Sequence, residues 1–129
     1  MTRAPRILIV EDQYVAAIDC QGELARAGME TVGIASTAAE AYLLAAREKP
    51  DLILMDIRLA SRADGIETAR EIYEHFGIRS VFVTAQESPE TRALAQSANP
   101  LGWIAKPYRP SDLLRGVKAA LDQLAPLSS

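Results

Sequence analysis

A chain of 129 residues, 49% apolar and 24% charged, is long enough for one domain with a sizeable core and too short for two. The apolar share and a formal net charge of only −3 exclude intrinsic disorder, and 17 acidic against 14 basic residues leave no basic footprint for nucleic acid. No apolar run approaches the roughly 20 residues of a membrane span, Met1-Thr2-Arg3-Ala4-Pro5 has no signal-peptide core, and the single cysteine, Cys20, excludes an internal disulfide and points to a reducing cytoplasm.

In chain order, short apolar runs alternate with amphipathic stretches of helical period. Ile7-Leu8-Ile9-Val10 reads as a strand, followed by a helix over 14–27 that sets Ala17, Ile18, Leu24 and Ala25 on one side, with Gly28 closing it. Thr31-Val32-Gly33-Ile34-Ala35 is the second strand. Thr37-Ala38-Ala39-Glu40 then opens a helix over 37–47 with a capping-box pattern, its inner face carrying Ala41, Leu44 and Ala45. Leu52-Ile53-Leu54-Met55 precedes a helix over 65–76 that aligns Ile66, Ala69, Tyr73 and Phe76. Val81-Phe82-Val83 leads to Ser88-Pro89-Glu90, an N-cap, a first-turn proline and a carboxylate suited to a short fourth helix. Trp103-Ile104-Ala105 and a helix over 111–124, with Leu113, Leu114, Val117, Leu121 and Leu124 at helical spacing, complete the series. Runs that are apolar throughout suit parallel strands covered on both faces, and five strand-then-helix units predict an α/β domain with one parallel sheet.

Ligands of open parallel sheets bind at the carboxyl ends of the strands, so the residues that follow each run matter most. Glu11 and Asp12 follow the first, Asp56 the third, Thr84 the fourth and Lys106 the fifth; the second ends in Ala35-Ser36, without charge. If the first and third strands are central neighbours, three carboxylates converge beside a hydroxyl and an ammonium. Two unit charges 4 Å apart repel by about 4 kcal/mol at an effective dielectric near 20. Either protons or a cation must relieve that repulsion, and a hard divalent ion with oxygen ligands and few carboxylates describes Mg²⁺. Mg²⁺, a lysine and a threonine hydroxyl around one carboxylate suit a phosphoryl group, with the carboxylate itself as nucleophile. Taken singly, each residue has an ordinary reading: Asp12 as a helix N-cap, Asp56 as a loop residue, Lys106 as solvated surface. Their joint placement at strand ends carries the chemistry.

The motifs now quoted together resemble one family. Ile-Leu-Ile-Val-Glu-Asp at 7–12, Asp-Leu-Ile-Leu-Met-Asp-Ile-Arg-Leu at 51–59, Asp-Gly-Ile-Glu at 64–67, Val-Phe-Val-Thr-Ala at 81–85 and Gly-Trp-Ile-Ala-Lys-Pro-Tyr at 102–108 resemble, in order, the receiver domains of two-component response regulators. The resemblance covers about 6–124 and implies a single receiver domain over 1–129, with no effector domain in this chain. It implies a flavodoxin-like, doubly wound sheet of five parallel strands in order 2-1-3-4-5, with helices on both faces. By the same resemblance Asp56 is the phosphoacceptor, and Glu11, Asp12, Asp56 and the Arg58 backbone carbonyl hold Mg²⁺. Thr84 and Lys106 contact the phosphoryl group, Thr84 and Trp103 form the switch, and the Lys106-Pro107 peptide is cis. The implied partners are a histidine kinase or histidine phosphotransfer protein, and a downstream protein or a second copy at the face of the fourth helix, fifth strand and fifth helix. No nucleic acid, membrane or external substrate turnover is expected, and the cytoplasm is the expected location.

Three features depart from the commonest pattern of that family. Leu59-Ala60-Ser61-Arg62-Ala63-Asp64-Gly65 lacks the usual proline and is one residue longer; the switch aromatic is a tryptophan; and Arg58 and Gln86 stand where the family tunes phosphoryl lifetime. Cys20 reads as a small packing residue, and the lone His75 as a residue tolerated near a helix C-terminus. Tyr108 and Arg109, beside Pro107, read as surface or partner-contact residues. A receiver-like scaffold that works without phosphorylation is the competing function. An aspartyl-nucleophile phosphatase is disfavoured, because the position two after Asp56 is Arg58 rather than a second aspartate. A flavodoxin-like phosphate cradle is disfavoured because Glu11 and Asp12 would repel the ligand.

Overall fold

The structure, a computed structural model, describes residues 3–58, 65–85 and 88–125. Five strands, β1 (Arg6–Val10), β2 (Glu30–Ala35), β3 (Leu52–Asp56), β4 (Ser80–Thr84) and β5 (Gly102–Ala105), alternate with α1 (Tyr14–Arg26), α2 (Ala38–Glu48), α3 (Gly65–Phe76), α4 (Pro89–Ala95) and α5 (Pro110–Leu124). All pairings are parallel, in the order β2-β1-β3-β4-β5, as expected. β1 and β3 are adjacent and central, with Val10 registered on Met55, so the residues that follow them emerge side by side.

Successive strand residues point to opposite faces, and this divides the core in two. Ile7, Ile9, Leu52, Leu54, Val81, Val83 and Ile104 pack with Ala17, Cys20 and Leu24 of α1 and with Leu113 and Val117 of α5. Leu8, Val10, Ile53, Met55 and Phe82 face the other way, against Ala41 and Ala45 of α2, Ile66, Ala69 and Ile72 of α3 and Ala95 of α4. Glu11, Asp56 and Lys106 share the parity of Ile9, Leu54 and Ile104, so the pleat that fills the α1–α5 core also aims these three at one place.

The helices differ from expectation in detail. The buried stripe of α1 is Ala17, Cys20 and Leu24, whereas Ile18 is exposed and Ala25 lies outside the core. Steps of three and four from Ala17 reach Cys20 and Leu24, and Ile18 and Ala25 lie one position further round. In α3 the fully buried position is Ile72 rather than Tyr73 or Phe76, which are half-buried at the edge. The cap of α2 is only half the expected box. Thr37 accepts from the Glu40 N–H, but the Glu40 carboxylate turns to the N–H and hydroxyl of Ser36. Gly28 does close α1: its φ is 82°, a conformation open to glycine without penalty, and its N–H reaches the Ala25 carbonyl. α4 is as short as its proline-led start suggests, capped by Ser88 and running into a single 3₁₀ turn over Gln96–Ala98.

Candidate functional site

The carboxyl end of the sheet holds Glu11, Asp12 and Asp56 so close that one carboxylate oxygen from each lies within 4.8 Å of the others. Asp56 is only 7% exposed and Glu11 8%. Lys106 bridges them, its Nζ donating to Glu11 Oε1 at 2.9 Å and to Asp56 Oδ2 at 3.1 Å. The remaining oxygens meet backbone. Glu11 Oε2 accepts from the Gln13 N–H at 3.1 Å and Asp56 Oδ1 from the Arg58 N–H at 3.0 Å. Asp12 is the carboxylate without the ammonium. Burial first, then its hydrogen bond and charge contact with Glu11, push its carboxyl above the ordinary range. It is not a helix cap: Gln13 occupies that position in α1, with no side-chain bond. Burial works against charge on Lys106, but its bonds and charge contacts with Glu11 and Asp56 prevail and hold its pKa above the ordinary lysine value.

Three carboxylates beside a single ammonium, which bonds two of them, leave a surplus of negative charge in an open pocket of about 530 Å³. Arg58 and Thr84 line the same pocket, so it contains every strand-end residue singled out in the sequence. Thr84 is buried at the end of β4, and its carbonyl accepts from the Lys106 N–H at 2.8 Å, tying the two strand ends together. The Lys106-Pro107 peptide is cis. The Arg58 side chain is exposed. Gln86 and the departing loop over 59–64 lie outside the described residues. The donor set is all oxygen, which suits a hard divalent cation; Glu11, Asp12 and Asp56 together could hold one, with Glu11 and Asp56 each sharing their oxygens with Lys106 and a backbone N–H.

Trp103 lies away from the pocket, half-buried on the opposite face of the sheet. It is registered across from Phe82, with ring centroids 5.0 Å apart.

Two contributors were not singled out from the sequence. Gly65 starts α3 directly beneath the site: a Cβ there would overlap the Asp56 carbonyl oxygen and stand 2.8 Å from Ile57 Cα. The Asp-Gly pair at 64–65 was a visible signal, but only as part of a motif. The second is Gln13, whose backbone N–H steadies Glu11; no side-chain pattern could have announced a backbone donor.

Against known proteins, residues 7–118 match the response regulator receiver domain family. The chain belongs to that family. It is 33% identical over 119 residues to the phyllosphere-induced regulator PhyR of Methylorubrum extorquens, covering 92% of this chain and 44% of that one. It is 32% identical over 124 residues to the transcriptional regulatory protein PdtaR of Mycobacterium tuberculosis, covering 96% and 60%. The chain thus spans about half the length of the curated relatives it matches. The crystal structure of a CheY-like response regulator receiver domain protein from Methanospirillum hungatei superposes with a TM-score of 0.85 at 30% identity, over 93% of this chain and 95% of that one. Among the described residues no helix is long and apolar enough to cross a membrane.

Proposed function

We propose that this receiver domain accepts a phosphoryl group on Asp56 from a phosphohistidine donor and changes a protein-binding face in response. The observation that carries the reading is Lys106 bridging Asp56 and Glu11 beside a third, cation-starved carboxylate, Asp12. An Asp56 carboxylate oxygen attacks phosphorus, the bond from phosphorus to the donor's imidazole nitrogen breaks, and the departing imidazole keeps the electron pair and takes up a proton. The product is an acyl phosphate.

Glu11, Asp12, Asp56 and the Arg58 backbone carbonyl would hold Mg²⁺, which when bound would neutralise charge on the transferring group. Lys106 is already drawn to Asp56, so its ammonium is poised for a phosphoryl oxygen, and Glu11 keeps it there. Thr84 offers a hydroxyl to a second oxygen. Drawing Thr84 inward alters the neighbouring β4–α4 region, and Trp103 on β5 follows. The face of α4, β5 and α5 is the output surface, offered to a downstream protein or a second copy of the chain. The regulatory names of PhyR and PdtaR support a signalling output of this kind. The donor is a histidine kinase or phosphotransfer protein, the setting is cytoplasmic, and the chain turns over no external substrate.

Mass spectrometry after treatment with acetyl phosphate and Mg²⁺ tests the reading. A hydroxylamine-labile phosphoryl adduct on Asp56, absent from Asp56→Asn, is expected. An adduct elsewhere would overturn the assignment of Asp56, and none with any donor would favour a scaffold that acts without phosphorylation.

A further inference from the structure

We propose that Arg92 latches Trp103 in its half-buried position and thereby sets how readily the domain passes into its phosphoryl-bound arrangement. The inference rests on the phosphoacceptor reading above and gives a role to a residue outside the acidic pocket.

The indole lies between core and solvent. Phe82, fully buried, packs against it from β4 with the ring planes 36° apart. On the solvent side the Arg92 guanidinium carbon sits 4.9 Å from the ring centroid. That is within the roughly 6 Å over which a cation and an aromatic face attract. A guanidinium is planar and weakly hydrated, so it can lie on an indole without giving up its charge contact with water. Arg92 also has other interactions, so the latch is one of its contacts rather than its only one.

The placement of α4 gives this contact a mechanical meaning. The helix has seven residues and is capped by Ser88, four positions after Thr84. A displacement at Thr84 therefore reaches Arg92 through a very short stretch of chain. For the indole to change position, either the guanidinium must leave its face or α4 must travel with it. Thr84 and Arg92 thus bias one two-state element from its two sides. With the guanidinium off the indole in the phosphoryl-bound form, reciprocity follows: whatever weakens the latch tightens phosphoryl binding at Asp56 by the same factor, provided the latched form predominates at rest.

Trp103 is the only tryptophan, so its fluorescence reports the latch without competing signals. The test compares wild type, Arg92→Gln and Arg92→Lys by acrylamide quenching in metal-free buffer. Their affinity for beryllofluoride with Mg²⁺ is then read by fluorine NMR, which does not depend on the indole. Circular dichroism checks folding, and the lysine variant keeps the charge should the glutamine variant fold poorly. Arg92→Gln should be more quenchable at rest and should bind the mimic about two- to fivefold tighter, the factor expected for one exposed cation–π contact. Arg92→Lys should fall between the two.

Unchanged quenching in Arg92→Gln, or raised quenching with unchanged affinity, would overturn the latch while leaving the phosphoacceptor reading intact. Failure of wild type to bind beryllofluoride any better than Asp56→Asn would instead sink the phosphoacceptor reading, and with it the coupling of the latch to Asp56.

Discussion

The two ends of the sheet are built on opposite electrostatic principles. At the amino end, where β1 and β3 begin, charges are matched. Arg3 meets Asp51 with two bonds, Arg6 meets Glu48 and the edge of Glu30, and Arg47 meets Glu48. Asp51 also accepts the Arg6 N–H, clasping the start of β1. At the carboxyl end, three carboxylates converge and Lys106 pairs with two of them, Glu11 and Asp56. The first arrangement holds the chain together and leaves nothing for a ligand to do. The second keeps part of its stability in reserve, because only an added cation or a neutralising change completes it. Surplus charge in a partly buried pocket is a mark of binding, and matched charge of fastening.

Four substitutions sharpen that contrast, and the largest effect comes from space rather than charge. Gly65→Ala should destabilise by about 3 kcal/mol or more, since its Cβ collides with backbone that has no rotamer to yield. Denaturant titration decides it, and a loss below one third of that size would mean α3 can slide away from Asp56. Lys106→Ala should lose about 2 kcal/mol in metal-free buffer, because it strips the carboxylates of their one compensating charge. Added Mg²⁺ should restore part of the loss, and thermal melts with and without the metal measure both.

Asp12→Asn should have the opposite sign, gaining about 1 kcal/mol without metal by relieving repulsion at Glu11 while abolishing stabilisation by Mg²⁺. A clear loss of metal-free stability would show that Asp12 fastens rather than binds. The smallest effect belongs to the amino end. Asp51→Asn should cost about 0.5 kcal/mol at neutral pH, since its pair with Arg3 is largely exposed. Burial alone would raise the Asp51 pKa, but its bonds with Arg3 and Arg6 outweigh that and lower it. A carboxyl depressed in the folded state stabilises above its unfolded value and loses that contribution as pH falls through the folded value. The gap between wild type and Asp51→Asn should therefore close in acid, which urea midpoints across the acid range would reveal.

The sequence was most readable where physics imposes a period or an ending. Fully apolar strands must emerge from the core at a definite point, so Glu11, Asp12, Asp56, Thr84 and Lys106 could be gathered from their positions alone, and the neighbouring strand ends bring them into one pocket. Contacts between elements carry no such signature. Nothing in the spacing of α4 and β5 announces that Arg92 covers Trp103, because that contact depends on a rotation of α4 that no local pattern records. Similarly, Tyr42 on α2 meets His75 Nδ1 on α3 at 2.5 Å, where helical spacing alone placed the histidine only near a helix end. The shift of the α1 stripe toward Cys20 has the same origin. Small residues such as Ala25 are compatible with either side of a helix, and packing chooses between them.

That choice has a practical corollary for Cys20. It is 6% exposed, and burial, opposed by a hydrogen bond with Tyr108 and aided by the charges of Glu11 and Glu23, pushes its thiol up to about 11. The nucleophilic form is then almost absent at neutral pH, so native protein should be inert to maleimides and disulfide reagents. Any cysteine introduced on the surface of α4 or α5 would react alone. The domain thus arrives ready for site-selective dye or spin labels, with its native thiol emerging to Ellman's reagent only on unfolding.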